Sequence, residues 1–372
     1  MLDFLEKELA ELARQGLLRE VTGARLDLID VASNDYLAYA RTPVSRATLL
    51  ECEAAEAGAG ASRLIHGTTQ PHLALEAELA SWVGLPSALL FSSGYAANLG
   101  LLQALARPGD RVVSDALNHA SIIDGCRLAR ADVAVVPHRD LAAVEGVLAE
   151  PAAGARRFVV TESYFSMDGD QADLPGLRRL CDRFGASLLV DEAHALGVFG
   201  PEGAGLCRAT GVVPDALVGT LGKAIGVHGA FVAGSGELRR WLWNRARSLV
   251  FSTASSPLLA LIAREQVRRA RRDEAGRSRL AQAAAQLRAR LRAAGVEAAP
   301  GSTGPIVPIL LGDNARALRV ADALQRDGFR AQAIRPPTVP AGSARLRITV
   351  STALDDATLE RLATCLIAAC AE

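Results

Sequence analysis

Lysine is almost missing from this 372-residue chain: of its 41 Lys and Arg residues, only Lys7 and Lys223 are lysine. A drift towards arginine can act wherever any cation will do. It cannot act where chemistry needs a primary amine able to lose its proton, because guanidinium stays charged. Lys7 falls on the polar face of an amphipathic helix expected over residues 1–14, beside Asp3, Glu6, Glu8 and Glu11. Lys223 stands between Gly222 and Ala224 in a glycine-rich turn and is the lysine that asks for a chemical reason. Net charge is missing too, at +0, which leaves no electrostatic footprint for nucleic acid. No run of about 18 apolar residues is free of charge, so no membrane span is expected. The first residues lack the basic start and apolar centre of a secretory leader, and a cytoplasmic location is expected. The six cysteines (Cys52, Cys126, Cys181, Cys207, Cys365 and Cys370) include no C-x-x-C pair. They read as small buried hydrophobes in a reducing compartment, and no metal site is expected.

What is present is an alternation. A chain of this length buries roughly three-quarters of its unfolded surface, enough for one large and one smaller domain. Short apolar runs at 88–91, 111–114, 133–137, 158–161, 187–190, 216–220 and 230–233 read as strands. Helices are expected between and after them at 95–106, 119–129, 141–149, 174–184 and 236–249. Strand alternating with helix predicts an α/β domain with a mostly parallel, seven-stranded sheet. Residues 257–294, rich in Ala, Leu and Arg, read as one long helix or a broken pair. A strand at 306–310, a helix at 314–327, strands at 331–334 and 346–350 and a helix at 356–369 make a small α+β C-terminal domain. The expected divisions are an N-terminal helix and substrate segment (1–38), a large domain (39–256), and a bridging helix with the small domain (257–372).

Leu188-Leu189-Val190-Asp191-Glu192-Ala193-His194 spells the acidic strand of a nucleotide hydrolase. The phosphate loop G-x-x-x-x-G-K-[ST] that such an enzyme needs is missing: Ala224 follows Lys223, and Leu217 stands six residues before it. Pyridoxal 5′-phosphate (PLP) makes better use of the same residues. It needs a lysine amine for a Schiff base and an acid facing its pyridine nitrogen. Asp191 ends an apolar strand, where an unpaired carboxylate is costly and a protonated pyridine nitrogen is a suitable partner. His194, three residues on, can reach the same cleft and the cofactor's phenolic oxygen. Taken singly, Asp191 also reads as a helix cap and His194 as a core histidine.

A phosphate site is expected at Ser92-Ser93-Gly94-Tyr95-Ala96-Ala97-Asn98, where small residues let backbone N–H groups at a helix start face an anion. An ordinary cap fits that stretch equally well. Phe251-Ser252-Thr253 offers two hydroxyls in a turn, with the same ambiguity. His119, at the start of a helix, can stack on an aromatic ring or serve structure alone. Arg335, in the stiff stretch Arg335-Pro336-Pro337-Thr338-Val339-Pro340, presents a fork suited to a substrate carboxylate.

From about Ser33 to the last helix, these stretches together resemble the α-oxoamine synthase family of fold type I PLP-dependent transferases. The resemblance is carried by Ser33-Asn34-Asp35-Tyr36-Leu37, Leu117-Asn118-His119-Ala120-Ser121, Thr161-Glu162-Ser163, Phe165-Ser166-Met167-Asp168-Gly169-Asp170, Asp191-Glu192-Ala193-His194, Gly219-Thr220-Leu221-Gly222-Lys223-Ala224 and Phe251-Ser252-Thr253. The family joins an amino acid to an acyl thioester with loss of CO2. The resemblance implies that Lys223 carries the cofactor and removes the α-proton, His119 stacks on the ring and Asp191 pairs with its nitrogen. It implies that His194 and Ser166 touch the phenolic oxygen and that Gly94, Tyr95 and Thr220 hold the phosphate. Ser252 and Thr253 are implied to come from the second subunit of a homodimer with shared sites. Asn34 and Arg335 are implied substrate contacts. Arg19, near the edge where an acyl carrier is expected, is either a further contact or a plain surface cation.

Gly312-Asp313-Asn314, Arg335 to Pro340 and Ala344-Arg345-Leu346-Arg347 are most similar to the family members that use L-alanine and a pimeloyl thioester, carried on coenzyme A or acyl carrier protein. Members that use glycine, making 2-amino-3-ketobutyrate or 5-aminolevulinate, more often carry an aromatic residue at the Arg335-Pro336-Pro337 stretch. His66 departs from the Ser or Cys frequent at its position, and Asp355 from a frequent His. A scaffold that has lost its chemistry predicts a colourless protein indifferent to the loss of Lys223.

Overall fold

The computed structural model describes residues 2–19, 23, 27–151 and 154–371. Helix α1 (Phe4–Arg14), a two-residue strand β1 (Ile29–Asp30) and helices α2 (Arg46–Glu53) and α3 (Gln70–Val83) come first. The alternation then runs β2 (Ser87–Phe91), α4 (Gly94–Leu105), β3 (Arg111–Asp115), α5 (Ala120–Ala129), β4 (Asp132–Val136), α6 (Leu141–Ala149) and β5 (Arg157–Glu162). It continues with α7 (Leu174–Phe184), β6 (Ser187–Asp191), α8 (Leu206–Thr210), β7 (Ala216–Thr220) and β8 (Ala230–Gly234). Helices α9 (Gly236–Arg245), α10 (Arg247–Val250), α11 (Pro257–Arg272) and α12 (Glu274–Ala293) follow. Last come β9 (Ile306–Gly312), α13 (Asn314–Arg326), β10 (Phe329–Arg330), β11 (Gln332–Ile334), β12 (Ala344–Thr349) and α14 (Asp356–Ala371).

Contacts gather the chain into two units, Asn34–Ser166 with Gln171–Ser278, and Met1–Ser33 with Met167–Asp170 and Arg279–Glu372. The sequence reading draws its divisions after residues 38 and 256. Two pairings account for the difference: β1 joins β10 in parallel, with Ile29 opposite Phe329, and α11 packs on α2 and α3.

In the larger unit, seven strands run in the order β2-β8-β7-β6-β5-β3-β4. Only β8 is antiparallel to its neighbours; the other pairs are parallel. Strands such as β6 (Ser-Leu-Leu-Val-Asp) are apolar on both faces because helices cover both sides of such a sheet. Leu89, Leu101, Leu102, Val112, Ile122 and Val160 form part of the core against α4 and α5. This topology brings the carboxyl ends of β2, β3, β5, β6 and β7 to one edge, the usual place for a ligand in an open α/β sheet.

The stretch 236–249, expected as one helix, is two. Ala246 leaves helical geometry (φ −73°, ψ 96°), and the Ser248 hydroxyl ties the next turn to the Ala96 carbonyl of α4 at 2.6 Å. Residues 257–294 are the broken pair. The break is at Asp273 (φ −88°, ψ 61°), whose carboxylate accepts from the Tyr39 hydroxyl at 2.7 Å and the Gly276 N–H at 2.9 Å. In the smaller unit, an antiparallel sheet of order β11-β12-β9 is accompanied by α13 and α14. All six cysteines lie in helices, but only Cys126, Cys181 and Cys207 are buried; Cys52, Cys365 and Cys370 are half-buried. Among the described residues no helix is long and apolar enough to cross a membrane.

Candidate active site

At the carboxyl edge of the large sheet, a cavity of about 170 Å³ is lined by Gly94, Tyr95, Asn98, His119, Ser121, Glu162, Asp191, Ala193, His194, Thr220 and Lys223. Each comes from a strand end or the turn and helix start that follows it. Asp191 closes β6 and is 6% exposed. One carboxylate oxygen accepts from the Asn98 amide at 2.7 Å and the other from the Ala193 N–H at 2.8 Å. A carboxylate has about four acceptor positions, so Asp191 keeps capacity for one more donor.

The buried Asn98 amide also donates to the Ser121 hydroxyl at 2.9 Å, and that hydroxyl meets His119 Nδ1 at 2.7 Å. The Ser121 N–H points at the same nitrogen from 3.2 Å, which makes Nδ1 an acceptor. Burial lowers the pKa of His119, Asp191 raises it, and Lys223 lowers it again, in that order of size. His119 is therefore a neutral ring, suited to lie against another ring. His194 Nδ1 lies 2.7 Å from the Tyr36 hydroxyl, which is 3.3 Å from Asn34 Oδ1. The Tyr36 hydroxyl donates to Asn34 Oδ1 and holds the His194 ring through Nδ1.

Lys223 sits in the connection from β7 to β8. The loop closes through Gly226 N–H to Lys223 O at 2.8 Å and Val227 N–H to Leu221 O at 2.8 Å. Gly226 is required there: its φ is +70°, and a Cβ would lie 2.4 Å from the Ala40 backbone nitrogen. Buried Ala224 and Ile225 anchor the loop beside the lysine. Across the cavity, Ser93 caps α4 by accepting from the Ala96 N–H at 3.1 Å. A Cβ on Gly94 would reach 3.8 Å from Thr220 Cβ, so the glycine keeps open the gap between the start of α4 and the end of β7.

Of the residues predicted from sequence, Gly94, Tyr95, His119, Asp191, His194, Thr220 and Lys223 line this one cavity. Ser166 is buried just beyond β5. Asn34 reaches the site's hydrogen-bond network through Tyr36. Ser252 is half-buried and Thr253 exposed; neither lines the cavity, and Thr253 pairs with Ser62 in an isolated bridge. Arg335 and Arg19 belong to the smaller unit. There Arg335 donates to the Gly16 carbonyl, and Arg19 donates to Thr338 Oγ1 at 3.2 Å. Burial, then the charge of Arg19, pulls the Arg335 guanidinium below its ordinary range. Asn98, Ser121, Tyr36 and Glu162 were given no site role from sequence. All four stand inside stretches already singled out, and a polar residue among apolar neighbours was the available signal.

The residues present fit PLP. They supply an amine, an acid with spare acceptor capacity, a neutral ring, a second histidine held by Tyr36 and a glycine-lined gap at a helix start. Residues 27–366 match the family model of class I and II aminotransferases. The fold is that of the fold type I PLP-dependent transferases. Serine palmitoyltransferase from S. paucimobilis, solved with a bound PLP–myriocin aldimine, superposes with a TM-score of 0.91 at 29% identity, covering 99% of this chain and 96% of that one. An 8-amino-7-oxononanoate synthase from Francisella tularensis superposes with a TM-score of 0.80 at 26% identity, covering 92% and 97%. In sequence, the 8-amino-7-oxononanoate synthase of Anaeromyxobacter dehalogenans is 45% identical over 96% of this chain and 93% of its own. That of Herminiimonas arsenicoxydans is 44% identical over 98% of each. The chain belongs to the class I and II aminotransferase family and, within it, to the 8-amino-7-oxononanoate synthases.

Proposed function

We propose that this enzyme condenses L-alanine with a pimeloyl thioester, on coenzyme A or acyl carrier protein, to give 8-amino-7-oxononanoate, CO2 and the free thiol, a step of biotin synthesis. The observation that supports this most is that seven residues chosen from sequence line one cavity in a chain 45% identical to synthases of that name. PLP, when bound, draws electrons from the α-carbon of an amino acid and so makes its proton removable.

The remaining tasks belong to the protein. Lys223 holds the cofactor through its amine and, once released, takes the α-proton; general base catalysis of this kind is worth about 10²–10⁴-fold. Asp191, fixed by Asn98 and Ala193, would face the ring nitrogen. His119 offers a neutral face to the ring. His194, held by Tyr36, and Ser166 would contact the phenolic oxygen. Gly94, Tyr95 and Thr220 hold the phosphate at the start of α4. Asn34 and Arg335 take substrate oxygens, with Arg19 beside Arg335. Ser252 and Thr253 complete the phosphate site of a partner subunit in a homodimer. The cytoplasm is the proposed location.

The test is a visible absorption titration of the purified enzyme with L-alanine and then pimeloyl-CoA, glycine serving as control, with thiol release measured alongside. A yellow protein that answers to L-alanine and releases thiol only with both substrates supports the assignment. An answer to glycine alone moves the enzyme to the 2-amino-3-ketobutyrate or 5-aminolevulinate reactions. A protein that stays colourless after incubation with PLP sinks the proposal.

A further inference from the structure

Glu162 lines the Lys223 cavity yet has no task in the chemistry above. It is the last residue of β5 and stands in register with Asp191, the last residue of β6. Residues in register on parallel strands send their side chains to the same face, so two carboxyl groups sit side by side at the cavity. Glu162 is 3% exposed. The backbone N–H groups of His119 and Ser166 donate to its carboxyl group, while Oε1 is buried without a partner.

Burial first, and the charge of Asp191 second, push Glu162 up to about 8; Lys223 and the two backbone donors pull the other way. Asp191 already receives two N–H donors, from Asn98 and Ala193. Glu162 therefore holds a proton at neutral pH. That proton sits on the oxygen no donor points at, which makes Oε1–H a buried donor with no acceptor among the described residues.

We propose that Glu162 is a further binding residue of the cofactor pocket, a buried acid whose Oε1–H would donate to an oxygen of bound PLP. The inference rests on the PLP reading of the cavity. The ionisable groups around Glu162 are Asp191 and His194 from the end of β6, His119 from the start of α5, and Lys223 from the turn after β7.

The experiment measures binding of pyridoxamine 5′-phosphate, which forms no bond to Lys223, from pH 6 to 9.5 in wild type, Glu162→Gln and Glu162→Leu. Glutamine keeps a donor but has no proton to lose; leucine has neither. The wild type is expected to bind more weakly as pH rises through about 8, and Glu162→Gln to bind within a few-fold of wild type at neutral pH without that loss. Glu162→Leu is expected to bind about tenfold or more weakly at neutral pH, as befits a lost hydrogen bond to a charged oxygen. The protein without cofactor supplies a second readout. The folded state binds the Glu162 proton more tightly than the unfolded state, so stability falls as pH rises from the ordinary carboxyl range through about 8. Glu162→Gln removes that fall. Wild-type binding by Glu162→Leu overturns the inference, as does a glutamine variant weakened as much as leucine. If the leucine variant does not fold, a Glu162→Gln pH profile that still follows wild type overturns it. A wild type that takes up no PLP at all overturns the cofactor reading itself and this inference with it.

Discussion

At the scale of single residues, the site is built from side chains whose protons are decided by their neighbours. Tyr36 shows this most directly. Its hydroxyl is buried and holds His194 Nδ1 at 2.7 Å. Removing it with Tyr36→Phe takes away a hydrogen bond between two buried side chains, a cost of about 0.5–1.5 kcal/mol. The variant is expected to unfold at lower denaturant and to show a lower kcat through a misaimed His194. An unchanged denaturation midpoint and kcat would falsify the orienting role. Lys223, Asp191, His119 and His194 could be singled out in the sequence because PLP chemistry restricts the residue type at each position, and the fold brings all four to one cavity. Asn98, Tyr36 and Glu162 could not be, because each acts on a neighbour far along the chain. Asn98 meets Asp191 across 93 positions and Tyr36 meets His194 across 158.

At the scale of elements, strand positions were read well because apolar runs bounded by turns survive in any context. Helix α3 was missed for a physical reason: it buries His72 and Glu76 along with Leu75, Leu79 and Trp82, so its inward face carries no clean apolar stripe. The two-residue strands β1 and β10 exist only by pairing with each other and leave no local pattern. The junction between α11 and α12 gives an element-level prediction. Gly276→Ala should favour a helix by about 0.8–1.0 kcal/mol on propensity alone. Here the added Cβ would lie 2.3 Å from Asp273 Oδ2, an oxygen of the carboxylate that binds Tyr39 and the Gly276 N–H. The variant is expected to be destabilised by about 1–3 kcal/mol, the usual cost of overpacking. A melting temperature at or above wild type would show that Asp273 moves aside freely.

At the scale of the whole molecule, the proposed dimer makes a claim that mixing can test. Ser252 and Thr253 lie outside the cavity of their own chain, next to Phe251, which is 71% exposed. If they serve the partner's phosphate site, a Lys223→Ala chain and a Ser252→Ala, Thr253→Ala chain should rescue one another. In a twofold hybrid, one site then combines an intact lysine with intact hydroxyls, and a statistical mixture regains roughly a quarter of wild-type activity. No rescue beyond the activity of the separate variants assigns the hydroxyls to their own chain. The sheet order itself was not legible in the sequence. Alternation predicts parallel pairing, but placing β8 between β2 and β7 depends on which hydrophobic faces meet after collapse.

The cavity at the sheet's carboxyl edge takes its walls from residues spread between Gly94 and Lys223. No single strand or helix contains it, and no partly formed sheet can hold its occupant. A compound that fits there binds only the finished fold and raises the free energy needed to open it by mass action. The cofactor supply of the cell is thereby also a term in how long each copy of this enzyme survives unfolding and proteolysis.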